Sequence, residues 1–195
     1  MCEVIVLFDG YSTKLEDGNM QANCTCTLIK GPKNIIVDTM TAWDKKKIIT
    51  ALSHQNIKPD DMDYVVCTHS HADHIGNNNL FTNAEHIIGS CVHKRDMFYG
   101  INVKNEEYNI CPGVKIVSTP GHTPDDVTVL VETVIDEIPT RFAITGDLFE
   151  KEEDIEDPSI WQALGTRELQ HVQNRMRYHV VTFADFVIPG HGPMF

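Results

Sequence analysis

The chain has 195 residues, 42% of them hydrophobic, and its 28 acidic against 16 basic residues give a formal charge of −12 at pH 7. This length and composition predict one folded domain over residues 1–195 and exclude low-complexity and repeat proteins. The charge opposes binding to polyanions such as nucleic acid, except through a local basic patch or a metal ion.

Short β-branched segments alternate with helical ones in the first half of the chain. The predicted strands are EVIVLF (Glu3–Phe8), CTCTLI (24–29), IIVDT (35–39) and YVVCTH (64–69). The polar segment 11–23 between the first two predicts a loop. Ile48, Ile49 and Leu52 recur at helical spacing, which predicts a helix with Asp44 as its N-cap.

The second half repeats this pattern and adds a longer helical segment. Apolar residues such as Trp161 and Met176 recur at roughly three- to five-residue steps over 159–181, and Gly165 is expected to divide this segment into two helices. Two sets of strands, each with helices, predict an α/β fold, a four-layer αββα sandwich, with a doubly wound sheet as the alternative. The predicted strands of this half are EHIIGS, VKIVSTP, DVTVLVE, RFAITGD and ADFVIPG.

The segment CTHSHADHIGN brings His69, His71, Asp73 and His74 directly after a predicted strand. Residues two apart in an extended segment point the same way, so His69 and His71 are expected to bind one ion. The chain is expected to bend into a helix at Asp73 and His74, which then face a second ion. Imidazole and carboxylate are ligands of zinc, iron and manganese. A chance cluster of histidines is the alternative, but the HxHxDH spacing favours two ions about 3.5–4 Å apart.

Three further candidate ligands each follow an apolar strand and adjoin a glycine: His122 in STPGHTPDD, Asp147 in ITGDLF and His191 in VIPGHGPMF. Glycine lets the backbone approach a crowded centre closely, although each residue alone is typical of an ordinary turn. We expect Asp147 to bridge the two ions. The ligands expected on one ion are His69, His71 and His122, and those on the other are Asp73, His74 and His191.

Two other acidic features lie near these candidates. Asp38, at the end of a predicted strand, is a candidate acceptor that orients a histidine, with a strand-end turn as the alternative. The acidic segment EKEEDIED (150–157) either lines the mouth of the site or is a solvated loop, and Glu150 is its residue of most interest. The remaining histidines are predicted to be solvated or packing residues: His54, His86, His93, His171 and His179.

This order of ligands, HxHxDH, His, Asp and His, resembles the metallo-β-lactamase superfamily along nearly the whole chain. The segments VIVLFDGY, HSHADHIGN, GDLFEKEEDIEDPSIWQAL and ADFVIPGHGPMF are similar to a glyoxalase II-like branch of that family. The resemblance implies an αββα sandwich with a dinuclear site of two Zn²⁺ per chain, held by the seven residues above, with iron as the alternative. It also implies an endoribonuclease, since the branch includes an animal nuclease that trims histone pre-messenger RNA.

Attack by water on phosphorus or carbon is the chemistry expected of such a site. Two divalent ions lower the pKa of a bound water from about 15.7 toward about 7, so that hydroxide can act as the nucleophile at neutral pH. Asp73, besides ligating, is expected to hold this water and accept its proton. No Gly-x-Ser-x-Gly motif or cysteine nucleophile argues for a covalent route.

The substrate is left open between several classes. RNA is favoured by the resemblance and opposed by the net charge. Hydrolysis of small acyl compounds or thioesters, as in glyoxalase II, and a sulfur dioxygenase with a single iron are the alternative enzymes, and metal storage or sensing is the non-enzymatic one. The modest basic clusters are Lys45, Lys46 and Lys47 with Arg141, Arg167, Arg175 and Arg177.

The remaining expectations concern location and assembly. The six cysteines form no CxxC pair, which predicts reduced thiols and a cytoplasmic protein, with the nucleus as a further location. We expect no membrane association, since there is no basic leader and no apolar segment near the roughly 20 residues of a membrane span. The partly apolar face of the last predicted helix suits either a homodimer or packing on the sheet.

Overall fold

The computed structural model describes residues 1–100, 103 and 107–195. Strands and helices alternate along the chain much as the sequence predicts. The strands are β1 (Glu3–Phe8), β2 (Tyr11–Lys14), β3 (Met20–Asn23), β4 (Cys26–Lys30), β5 (Ile35–Val37), β6 (Tyr64–Cys67), β7 (Glu85–Ile88), β8 (Cys91–Lys94), β9 (Met97–Tyr99), β10 (Tyr108–Cys111), β11 (Val114–Ser118), β12 (Val127–Ile135), β13 (Ile138–Gly146) and β14 (Phe186–Pro189). The α-helices are α1 (Lys45–His54), α2 (Ser159–Leu164) and α3 (Gln170–Phe183).

Two large sheets form the centre of the fold. One has seven strands in the order β1-β4-β5-β6-β7-β8-β9, and the other has five in the order β10-β11-β12-β13-β14. Neighbours pair antiparallel except β5 with β6, β6 with β7, and β13 with β14, which are parallel. The carboxyl ends of parallel neighbours meet at one edge of a sheet, so the loops that follow β5, β6, β13 and β14 can converge.

The core has the three interfaces of a four-layer αββα sandwich, which confirms the predicted fold class. Alternate residues of one strand face opposite sides: on β6, Val65 packs toward α1 and Val66 toward the second sheet. Residues of both sheets, such as Val66 and Ile144, form the central layer. Ile48 and Leu52 of α1 cover the first sheet, and Val180 of α3 covers the second.

The structure corrects two expectations for the first half of the chain. The polar segment 11–23 is not a simple loop, because β2 and β3 pair across it as a two-stranded hairpin, from Tyr11 opposite Asn23 to Lys14 opposite Met20. Asp44 ends a 3₁₀ turn and occupies the N-cap position of α1 as predicted, but its side chain makes no capping hydrogen bond. Its carboxylate instead accepts a hydrogen bond from Asn23 and pairs with Lys47 at 2.7 Å, so it ties the hairpin to the helix.

Other expectations are confirmed. Gly165 separates α2 from α3, and each of the six cysteines is a free thiol. Within the described residues, no helix has both the length and the apolar character needed to cross a membrane.

Candidate metal centre

The candidate ligands lie at one edge of the sandwich, in loops that leave the carboxyl ends of its strands. His69 lies two residues beyond β6, Asp147 directly follows β13, and His191 lies two residues beyond β14. His122 comes from the loop between β11 and β12. Asp73 and His74 lie in a turn, so the predicted bend into a helix at this point is wrong.

Two glycines allow these strand ends to approach one another. Gly146 has a positive φ of 53°, and a Cβ there would lie 2.2 Å from Oγ1 of Thr68. A Cβ on Gly190 would lie 2.0 Å from Oδ1 of Asp147. Any larger residue at either position would push the ligand loops apart.

The first group of ligand atoms belongs to His69, His71, His122 and Asp147, and all four atoms lie within 4.8 Å of one another. Nδ1 of His71 lies 2.9 Å from Nε2 of His69 and 3.0 Å from Nε2 of His122. Oδ2 of Asp147 lies 3.3 Å from Nε2 of His122. Four donors around one zinc ion lie about 3.3 Å apart, so this group fits a single cation.

The second group belongs to Asp73, His74 and His191, again within 4.8 Å of one another. The other oxygen of Asp147, Oδ1, lies 3.2 Å from Nε2 of His74 and 3.3 Å from Nε2 of His191. The two oxygens of Asp147 therefore face the two groups separately, which is the geometry of a bridging carboxylate. The structure thus brings together all seven residues that the sequence singles out.

Two buried polar atoms in this centre make no hydrogen bond within the described residues, namely Nε2 of His74 and Oδ1 of Asp147. Buried polar atoms in folded proteins nearly always have a partner, and leaving one unsatisfied costs about 1–3 kcal/mol. A cation between these atoms would satisfy both. The donor set therefore fits metal binding on chemical grounds as well as by distance.

Outer partners fix how the imidazoles are oriented. The Nδ1–H of His74 donates to Asp38 at 2.9 Å, and the Nδ1–H of His191 donates to the carbonyl of Asn23 at 3.0 Å. Each bond leaves Nε2 as the nitrogen that faces the second group. Asp38 is itself held by the amide and hydroxyl of Thr68, at 2.8 and 2.9 Å. The prediction that Asp38 orients a histidine is confirmed.

In the first group, burial has the largest effect on the pKa values of two imidazoles. It lowers the pKa of His69 well below the ordinary value, and the charge of His74 acts in the same direction. Burial also lowers the pKa of His122, against the opposing effect of Asp147. Neutral imidazole is the form that ligates metals, so both side chains are already in the binding form.

In the second group, interactions between charged side chains outweigh the effect of burial on the pKa values. Burial disfavours ionisation of Asp147, but the positive charges of His74 and His191 outweigh it and hold the pKa of Asp147 well below its ordinary value. Burial would lower the pKa of His191, but Asp147 raises it to about 9. A bound cation would take over the stabilisation of Asp147 while these imidazoles release their protons.

Glu150 lies closer to the centre than a position at its mouth would require. Its side chain is only 2% exposed, and one carboxylate oxygen lies within 4.8 Å of the ligand atoms of Asp147 and His191. Burial and the charge of Asp147 raise the pKa of Glu150 to about 7. The sequence shows this residue only as the first of an acidic run, which gives no sign that it points inward.

Cys24 also lies within 4.8 Å of Asp38 and His74. Burial, followed by the charge of Asp38, raises the pKa of its thiol well above the ordinary value. Because the thiolate is the form that ligates metals, Cys24 is a packing residue here.

Replacing Asp38 by asparagine should weaken metal binding by about 10- to 100-fold, because His74 loses its charged acceptor. Asparagine tolerates the positive φ of 58° at this position, so the backbone should be unchanged. The measurement is a competition titration of the metal-depleted protein against a chelator. Asp136→Asn is the matched control, since Asp136 is an exposed aspartate that also has a positive φ, 49°. Equal metal affinity in the two variants would contradict the role given to Asp38.

The metallo-beta-lactamase superfamily model matches residues 20–191. Two curated relatives are named metallo-beta-lactamase domain-containing protein 1. The one from Xenopus laevis is 35% identical over 98% of this chain and 80% of its own length, and the human one is 37% identical over 85% of this chain and 60% of its own length. The chain therefore spans less than two thirds of the human relative.

More distant matches share the fold. An N-acyl homoserine lactonase of Bacillus cereus is 33% identical over 50% of this chain and 43% of its own length. A solved N-acyl homoserine lactone lactonase superposes with a TM-score of 0.69 at 22% identity, covering 97% of this chain and 91% of that one. A subclass B3 metallo-beta-lactamase of Bradyrhizobium japonicum superposes with a TM-score of 0.63 at 12% identity, covering 86% of this chain and 71% of that one.

Proposed function

The chain belongs to the metallo-beta-lactamase superfamily and is a metal-dependent hydrolase, and we propose that it holds two divalent cations and cleaves phosphodiester bonds in single-stranded RNA. The observation that carries the two-cation part of the proposal is the pair of adjoining ligand groups that share Asp147. The ligands proposed for the first cation are His69, His71 and His122, and those for the second are Asp73, His74 and His191.

The cations would supply Lewis acidity toward the scissile group and a water acidified toward neutral pH. The protein supplies the position of that water and a route for its proton. Asp73 suits this role, because its side chain is 23% exposed whereas that of Asp147 is only 5% exposed. Its carboxylate can therefore reach both the second ligand group and the solvent. Three imidazoles on the first cation favour zinc there.

RNA binding is supported by the hairpin of β8 and β9, beside the ligand loops. Lys94 and Arg95 are exposed at its turn, and the exposed ring of Phe98 stacks on His93 with centroids 5.0 Å apart. A cavity of 440 Å³ is lined by both rings and reaches His69. Cationic side chains next to an aromatic surface are the combination that binds single-stranded nucleic acid, and Lys94 and Arg95 outweigh the exposed Asp96 at this turn, which leaves it locally basic.

Three of the seven basic residues named from the sequence form ion pairs and are less available to RNA. Arg177 is buried and paired with Asp154 at 2.6 Å. Arg141 pairs with Asp185, and Lys47 pairs with Asp44. The charges of these three residues are partly or wholly neutralised. The other four, Lys45, Lys46, Arg167 and Arg175, are exposed, but none of them lines the cavity that reaches His69, so the β8–β9 hairpin is the better candidate surface.

Replacing Phe98 by alanine should raise KM for a single-stranded RNA by about tenfold with little change in kcat, because one stacked base contributes about 1–3 kcal/mol to binding. Steady-state kinetics on a labelled oligoribonucleotide measure this. Tyr178→Ala is the matched control: Tyr178 is 66% exposed, as is Phe98, but lies on α3. An unchanged KM in Phe98→Ala would remove the support that the hairpin gives to RNA.

A second candidate function is hydrolysis of small carboxylic esters, thioesters or lactones. It is favoured by the match to the B. cereus lactonase over half of this chain. Ile88 and Phe98 also give the cavity near His69 apolar walls that suit an acyl chain. Measuring acid or thiol release from a panel of such compounds beside RNA cleavage distinguishes the two functions, since the preferred class should show the higher kcat/KM.

A further inference from the structure

We propose that Glu150 is an additional ligand of the metal centre and makes its second cation position selective for a harder ion, such as Mn²⁺ or Fe²⁺, than the zinc favoured at the first. This inference rests on the proposed two-cation site. It concerns a side chain outside the seven ligands and assigns a different metal preference to each position.

The position of Glu150 is the first support. One of its carboxylate oxygens forms a group with the ligand atoms of Asp147 and His191, all within 4.8 Å of one another. Asp147 and His191 also face the second cation position, through Oδ1 and Nε2, which lie 3.3 Å apart. A cation between these two atoms therefore has Glu150 within reach of a small side-chain rotation.

The burial of Glu150 is the second support. Its side chain is 2% exposed, and the hydroxyl of Ser12 donates a hydrogen bond to its Oε2 at 3.1 Å. A neutral hydroxyl compensates poorly for burying a carboxylate, which ordinarily pairs with a cation or binds a metal. Oδ1 of the neighbouring Asp147 makes no hydrogen bond within the described residues, so the same cation would satisfy both acidic groups.

The backbone around Glu150 is held firmly in this position. Its N–H donates to Oδ2 of Asp154 at 2.7 Å, and its carbonyl accepts from the N–H of His191 at 2.8 Å. Asp154 is fully buried and is fixed by Arg177, whose guanidinium lies 4.0 Å from the centre of the Phe149 ring. These contacts direct Glu150 inward, although Glu152, Glu153, Glu156 and Asp157 of the same segment are exposed.

The difference in metal preference follows from the donor atoms. The first position has three imidazole nitrogens and one carboxylate oxygen. Adding Glu150, which lies within 4.8 Å of Asp147 and His191, would give the second position two imidazole nitrogens and three carboxylates, from Asp73, Asp147 and Glu150. Oxygen-rich sets favour manganese and other hard ions, whereas imidazole-rich sets suit zinc.

The test compares wild type with Glu150→Gln by calorimetric titration of the metal-depleted protein with Zn²⁺ and with Mn²⁺, and by the electron paramagnetic resonance of bound Mn²⁺. Glu150→Gln should weaken Mn²⁺ binding by at least about tenfold and leave the tighter Zn²⁺ binding unchanged. Glu152→Gln is the control, because Glu152 is an exposed glutamate of the same segment. Unfolding curves of each variant establish that it is folded.

Ser12→Ala distinguishes ligation from a structural hydrogen bond. If Glu150 only bonds Ser12, this variant should weaken Mn²⁺ binding as much as Glu150→Gln does, which would overturn the inference. If Glu150 is a ligand, Ser12→Ala should keep Mn²⁺ affinity within a fewfold of wild type. Equal Mn²⁺ affinity in wild type and Glu150→Gln would overturn the inference alone, whereas wild type that binds neither metal would also overturn the proposed function.

Discussion

Replacing Asp147 by asparagine is expected to lower kcat/KM by about a thousandfold, which corresponds to about 4 kcal/mol of transition-state stabilisation, and to release at least one of the two cations. The amide keeps the shape of the side chain but loses its negative charge and one acceptor oxygen. Both oxygens of Asp147 are needed, since Oδ2 lies 3.3 Å from His122 and Oδ1 lies 3.2 Å from His74. Kinetics and metal content are measured on the same preparation.

The control for this variant is Asp63→Asn. Asp63 is a partly buried aspartate that pairs with Lys33 at 2.8 Å, and it precedes β6, whereas the ligands follow the other end of that strand. Its replacement should leave activity and metal content unchanged. Full activity in Asp147→Asn would show that no carboxylate bridge is needed, which would contradict the two-cation account.

Replacing Arg177 by alanine should lower the free energy of unfolding by about 3–5 kcal/mol, because it leaves the carboxylate of Asp154 buried without its cation. Asp154 is fully buried and Arg177 is 7% exposed. The guanidinium bonds both oxygens of Asp154, at 2.6 and 3.1 Å, and lies over the rings of Phe149 and Trp161. Denaturant unfolding of the two proteins measures the difference.

Arg141→Ala is the matched control for the loss of an arginine–aspartate pair. Arg141 and Asp185 are both exposed, and water and salt screen such a pair, so its loss should change stability little. A similar small effect for Arg177→Ala would mean that the pair with Asp154 does not hold the Glu150 segment.

The convergence of the seven candidate ligands could be predicted from the sequence because two regular patterns coincide in them. Apolar strands end in a glycine followed by a candidate ligand, as at Gly146–Asp147 and Gly190–His191. The carboxyl ends of parallel strands meet, so such residues are brought to one edge whatever loops lie between them. The strands that carry these ends could also be predicted, because buried strands are continuously apolar.

Other features have no such pattern. The β2–β3 hairpin consists of short, mostly polar strands, so it resembles a loop in the sequence. With three or four residues each, β8, β9 and β10 are too short for alternation to show in the sequence, and every residue of β9 is exposed. The inward position of Glu150 depends on Asp154 and Arg177. Arg177 lies far from Glu150 along the chain, and Asp154 is one of several acidic residues in its segment, so the sequence distinguishes neither of them. Such contacts depend on the tertiary fold.

Metal content per chain tests the central claim most directly. The measurement is elemental analysis of the folded protein after equilibration with zinc, manganese and iron and removal of loosely bound ions, beside the same analysis of a His69→Ala, His191→Ala double variant. Two ions are expected per wild-type chain and fewer than one in the double variant, which loses one candidate ligand from each group. A single iron per wild-type chain, or a metal content that the two substitutions leave unchanged, would contradict the central claim.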